Sequence, residues 1–293
     1  GDKDRAREAL EKAFELDTTD ARVLLELDQL HKKLGMSAYE RIAFCQKYWD
    51  TLIKRDDMYI EYVTLLNQVG KYEEAYKLIM ARKFHPWEGG EGKVTTQYKI
   101  ALLEMAKTEI QKKDYKNAIV HLNSALNYPE NLGEGKLEGT KDNNINYYLG
   151  YCYEMIGRGD LAKKYFELAS IGTDDPAGIM YYYDQPADMI LYEGWAKGKL
   201  GKTVEANSRF YKLIDYGEKH IYDKLHVDYY AVSYPDFLIF DEDWDKKNKV
   251  HCYYLIGLGN LGLGNKAKAK EAFSQALKLD QNHLNCILYK KMV

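Results

Sequence analysis

The stretch HCYYLIGLGNLGLGNKAKAKEAFSQALKLD, residues 251–280, decides the fold. Within it Gly257 is followed by Ala269, Phe273 and Ala276, at offsets of 12, 16 and 19 residues. The same offsets lead from Gly150 to Ala162, Phe166 and Ala169, and from Gly194 to Ala206, Phe210 and Leu213. A residue without a side chain lets a second helix come close. The small–large–small stripe on that second helix then fills the space between successive pairs. Around these positions apolar residues recur at helical spacing rather than in alternation.

Working outward, the stripe returns at Ala6/Leu10/Ala13, Ala38/Ile42/Cys45, Ala75/Ile79 (with Arg82 off-pattern) and Ala118/Leu122/Ala125. Turn signals fall where paired helices should bend, at Gly70, Gly157, Gly201 and Gly264. Glycine just past a helix end takes the left-handed conformation at little cost. The connectors Asp17-Thr18-Thr19-Asp20 and Asp280-Gln281-Asn282 are suited to cap the helices that follow them. Residues 282–293 read as the start of another helix.

The register resembles the tetratricopeptide repeat, a helix–turn–helix unit of about 34 residues. The resemblance implies an all-α fold, a right-handed superhelical α-solenoid of about six helix pairs, with residues 1–293 as one repeat domain. The clearest repeats are 143–176 and 250–283. The intervals between lead alanines exceed the family period, so insertions are expected at 84–93, 129–143 and 217–249, the second a mobile polar loop. Repeat arrays offer an extended concave surface for holding something. The implied role is therefore a non-catalytic binding and scaffolding module rather than an enzyme.

Composition is consistent with that reading. The 293 residues include only 5 prolines, as long helices require, and 27 tyrosines, which suit half-wet aromatic surfaces. With 42 basic and 45 acidic residues the net charge is −3, which gives no basic stripe for nucleic acid. No apolar run approaches the length of a membrane span. The chain opens Gly-Asp-Lys-Asp inside a helical stripe. Gly1 reads as a cloning remnant, the chain as a fragment of something longer, and its expected location as cytoplasmic. The four cysteines form no CxxC pair and read as reduced core thiols.

FHPWEGGEGK at 84–93, YYYDQPADMILYEG at 181–194, SYPDFLIFDED at 233–243 and HCYYLIGLGNLGLG at 251–264 carry a narrower likeness. Together they resemble segments of a group of large bacterial proteins. In that group a region similar to sugar-mutarotase β-sandwiches precedes a tetratricopeptide tail. The resemblance implies a carbohydrate-related parent and supplies no catalytic residue here. The partner it implies is the N-terminal portion of the parent chain or another protein, with a carbohydrate as the alternative ligand.

Several motifs could carry chemistry. Gly257-x-Gly259-x-x-Gly262 matches a dinucleotide fingerprint and follows a strand-like run, Val250–Ile256. The fingerprint needs a βαβ unit, whereas these glycines share the helical register of Gly150 and Gly194. No cofactor is expected. Gly201-Lys202-Thr203 lacks the earlier glycine of a phosphate loop. Asp241, Asp243 and Asp245 lack the glycine and glutamate of a calcium loop. The seven histidines, His226 beside Asp228 included, form no metal-ligand spacing, so no metal is expected.

Two sets of residues remain as binding candidates. The first is the 84–93 insertion with His85, Trp87, Glu88 and Glu91. It can present an aromatic face and carboxylates to a sugar or a docking segment. Alternatively, Trp87 plugs a gap between repeats and the acids cap the helix that begins near Val94. The second set lies on the inner helix of each pair, at fixed offsets from the packing glycine. It comprises Asn144, Tyr147, Tyr151 and Glu154, then Asp188, Leu191, Trp195 and Gly198, then His251, Tyr254, Leu258 and Leu261. These positions are expected to line the groove.

Overall fold

The structure is a computed structural model that describes residues 2–178, 186–225 and 243–293. Among the described residues all regular structure is helical, with fifteen α-helices and one 3-10 turn. They form two compact units, where the sequence reads as one. The first comprises 2–101 and 128–135, the second 102–127, 136–178, 186–225 and 243–293.

The first unit holds α1 (Lys3–Leu16), α2 (Ala21–Lys33), α3 (Ala38–Lys47), the single turn α4 (Trp49–Leu52), α5 (Asp56–Val69) and α6 (Tyr72–Met80). It also holds the start of α7 (Lys93–Gln111), within which the division falls. Helix starts follow local chemistry. Asp20 accepts the N–H groups of Arg22 and Val23 at 2.8 and 3.1 Å, and Ser37 with Glu40 forms a reciprocal capping box. The alanine stripes at Ala38/Ile42/Cys45 and Ala75/Ile79 are buried. The α1 stripe is corrected: Ala13 is exposed, and Phe14 enters the core in its place. Phe14 meets the ring of Tyr48 edge-on at 4.7 Å. Such a ring buries far more apolar area than a methyl group, and it decides which face of α1 turns inward.

One buried feature of this unit has no hydrophobic origin. Arg41, fully enclosed, donates to both oxygens of Asp28, with Nε at 3.0 Å, and to Glu61 at 2.8 Å. Lys32 completes the group at 3.2 Å from Glu61. Burying these charges is tolerable because they are paired and hydrogen-bonded.

The second unit holds the end of α7, then α8 (Tyr115–Ala125), α9 (Asn143–Met155), α10 (Gly159–Ala169), α11 (Ala187–Lys199) and α12 (Thr203–His220). It closes with α13 (Trp244–Gly262), α14 (Lys266–Leu279) and α15 (Leu284–Lys290). The three glycine registers are met as read. A Cβ at Gly150 would lie 2.7 Å from the Phe166 ring, and one at Gly194 or Gly257 would overlap Phe210 or Phe273.

Helix α13 uses its glycines on two sides. Gly257 admits Phe273 of the following helix, while Gly259 and Gly262 admit the backbone and ring of Phe210 in the preceding one. The fingerprint spacing is thus a packing device inside one helix, and Val250–Ile256 is helical rather than a strand. All four cysteines are free and buried.

The third insertion is shorter than read, because α12 runs on to His220 and α13 begins at Trp244. Residues 226–242, with His226, Asp228, Asp241 and the Tyr234 segment, lie outside the described residues. So do residues 179–185. Asp243 caps α13 by accepting the Lys246 N–H at 2.9 Å, and Asp245 pairs with Lys224 at 2.6 Å.

Candidate functional site

The insertion at 84–93 is held from three directions within the first unit. At its start Asp56 accepts the His85 N–H at 2.9 Å and faces its Nδ1 at 3.3 Å. The guanidinium of Arg82, which breaks the alanine stripe in sequence, bonds the same carboxylate and covers the Tyr59 ring at 4.5 Å. Burial favours protonated Asp56, but the His85 and Arg82 hydrogen bonds outweigh it and hold its carboxyl below the usual range.

From the second insertion, the Asn131 carbonyl accepts the Phe84 N–H at 2.8 Å, and its side chain donates to the carbonyls of Ile79 and Arg82. At the end of the loop Glu134 accepts the Gly92 N–H through both oxygens, each at 3.0 Å.

The two insertions therefore clasp each other. Within the second insertion, residues 129–135 are held by these bonds and by buried Leu132. Trp87 packs against Gly90, where a Cβ would overlap the indole, and it is only partly exposed. Glu88 and Glu91 are exposed, and Glu134 supplies an acceptor at the start of the next helix from a distance in sequence. The His85 imidazole is 78% exposed.

The inner-helix candidates lie in the second unit and separate into two groups. The first is an accessible aromatic ridge. Tyr147 and Trp195 are half-buried with ring centroids 5.5 Å apart, and Tyr151 meets Tyr115 at 6.4 Å. Lys199 stands 5.8 Å above the Tyr151 ring and pairs with Glu154. Burial pushes the Tyr147 hydroxyl up, so it stays a neutral hydrogen-bonding group across the physiological range.

The second group is closed rather than open, which corrects its expected placement on a groove wall. Asp188 is buried and accepts the hydroxyl of Tyr289 at 2.9 Å. Tyr254 is buried against Tyr289 and His283, at centroid distances of 6.0 and 5.2 Å. His251 is buried and donates from Nε2 to the carbonyl of Ala177 at 2.9 Å. Its burial lowers the imidazole pKa. Lys107, paired with Glu104 at 2.6 Å, places its ammonium over the rings of Tyr148 and Tyr289 at 5.4 and 5.8 Å. Lys107, Tyr148, Tyr192 and Tyr289 were not among the residues read from the sequence. Only the tyrosine excess hinted at them, without saying where.

Residues 250–283 match the family model of the tetratricopeptide repeat. The matched segment is the pair α13–α14 with its connector, the pair in which the glycine–phenylalanine register is fullest. Among solved structures, a tetratricopeptide repeat protein from Parabacteroides merdae is 15% identical, with 100% of this chain and 92% of that one aligned at a TM-score of 0.44. YrrB, described as a tetratricopeptide repeat protein with an unusual peptide-binding site, is 16% identical over 97% and 99% of the two chains at a TM-score of 0.28. At such scores superposition adds nothing to the helical geometry already described.

No group of His, Cys, Asp or Glu among the described residues has metal-binding geometry. No helix among them is long and apolar enough to cross a membrane.

Proposed function

We propose that this chain is a non-catalytic binding and scaffolding module that holds a protein segment on the inner helices of its second unit. The segment is the N-terminal portion of the parent chain or part of another protein, in a bacterial and carbohydrate-related setting. The observation that carries this reading is the ridge of Tyr147, Tyr151 and Trp195. It is aromatic, half-exposed, edged by the Lys199–Glu154 pair, and built on the helical register that the tetratricopeptide match marks at 250–283. Rigid aromatic rings beside a polar rim suit protein recognition because they lose little conformational entropy on binding.

The test is selection of a displayed random-peptide library on the wild-type chain and on Trp195→Ala. A consensus peptide that binds the wild type and loses at least about tenfold affinity in the variant, the usual cost of a contact worth more than 1 kcal/mol, supports the reading. Binding of oligosaccharides but no peptide, sensitive to the same substitution, replaces it with the carbohydrate alternative.

A further inference from the structure

Helix α15 is only seven residues long, and helices of that length do not persist on their own. Two things hold it. One is docking: Cys286, Leu288 and Tyr289 are buried, and Tyr289 reaches Asp188, Tyr254 and the stacked ring of Phe273 at 6.3 Å. The other is its N-cap, which is neither Asp280 nor Asn282 but His283. The imidazole Nδ1 of His283 accepts the N–H of Cys286 at 3.1 Å.

A serine, asparagine or aspartate cap keeps its acceptor throughout the physiological pH range, and a histidine cap does not. Protonation at Nδ1 removes the lone pair that accepts the Cys286 N–H. It also places a positive charge at the positive end of the helix dipole.

We propose that α15 is an acid-releasable occupant of the inner wall: protonation of His283 uncaps the helix, withdraws Tyr289 and uncovers Asp188, Tyr192 and Tyr254. The release stands on this geometry alone. Its consequence for partner binding rests on the reading of the inner helices as the binding surface.

The groups around His283 act in both directions. Burial is the largest influence and favours the neutral ring, and His251 of α13 opposes a second positive charge nearby. Asp280, at the end of α14, favours protonation. Tyr254 of α13 contributes a ring face, and Cys286 of α15 contributes the N–H that requires a bare Nδ1. The neutral, capping state therefore dominates at neutral pH. Acidification below the ordinary histidine value of about 6.5 draws protons first to states in which α15 is undocked.

Hydrogen exchange of the full chain, corrected for intrinsic rates, tests this at about pH 7.5 and 5.5. Amides of α15 should lose protection by at least about tenfold on acidification, the scale set by losing a cap and gaining an unfavourable charge, while those of α13 and α14 change far less. His283→Asn supplies a non-titrating cap and should abolish the difference. An equal acid loss in His283→Asn, or full protection of wild-type α15 at the lower pH, overturns the proposal.

Proton NMR of the imidazole rings gives a second readout on the wild type alone. Loss of α15 amides must follow the titration of His283, and loss that follows His251 or global unfolding overturns the proposal as well. Release of α15 without peptide binding would count against the proposed function only. Retention of α15 would leave the Trp195 ridge untouched.

Discussion

Glu134 grips the backbone N–H of Gly92 with both carboxylate oxygens, across 42 residues of sequence. Gly92 stands immediately before α7, so a residue of one insertion supplies the helix-terminal acceptor of the other. Truncation in Glu134→Ala would leave that part-buried donor without its acceptor, at a cost of about 1 kcal/mol. Limited proteolysis should then cut faster at Lys93, and amide exchange should accelerate at Gly92–Thr95. Unchanged rates at these positions would show that the clasp does not hold the loop.

Gly259 of α13 and Gly198 of α11 should respond in opposite ways to the same substitution. In Gly259→Ala the new methyl group would overlap the Phe210 backbone, and forced repacking of this kind costs about 1–3 kcal/mol. At Gly198 a Cβ meets only the Ala206 methyl, at 4.0 Å. Gly198→Ala should therefore stabilise by about 0.5–1 kcal/mol through helix propensity. Urea midpoints of the two variants, measured side by side, check the sign of each.

Phe273 fills the gap above Gly257 and stacks on Tyr289. Phe273→Ala should cost about 3–5 kcal/mol, as for other buried aromatic truncations. Thermal unfolding of the variant measures this. Wild-type melting would contradict the register of the last repeat.

The Asp28–Arg41–Glu61–Lys32 group predicts a pH dependence. Burial pushes the Glu61 carboxyl up, but Lys32 and Arg41 outweigh it and hold the group well below the usual glutamate range. A depressed folded-state value means that Glu61 contributes stability above its ordinary pKa of about 4.3 and loses that contribution as pH falls below it. Glu61→Gln should therefore flatten the acid limb of stability against pH. Arg41→Ala, which strands the buried Asp28 carboxylate, should cost about 3–5 kcal/mol at neutral pH. Denaturant titrations at several pH values report both effects.

The parts of the fold that were legible in the sequence are those with local causes. Gly150, Gly194 and Gly257 announce their partners at fixed offsets, because one helix and the next turn are enough to define the contact. Arg82 looked like an error in the stripe, since its partners Asp56 and Tyr59 come from another helix. Ala13 continues the small–large–small spacing of the other stripes, and that spacing says nothing of the neighbouring Phe14, whose ring is the one buried. The Tyr289–Asp188 bond spans 101 residues. Nothing local to either residue signals it, so Asp188 and Tyr254 read as open wall when they are covered. For Trp87 the sequence left a binding face and a plug both open, because it could not show that the indole packs on Gly90.

The two-sided glycine helix also limits how this chain can change in length. Successive residues of a helix point about 100° apart. One residue added or lost between Gly257 and Gly259 would rotate the Phe273 seat away from the Phe210 seat, and no repacking of side chains could restore both. Insertions and deletions should therefore be excluded from α13 and accepted in the connectors, where the long excursions of this chain already lie. In α13, residue count is itself a structural constraint, as binding as the identity of any side chain.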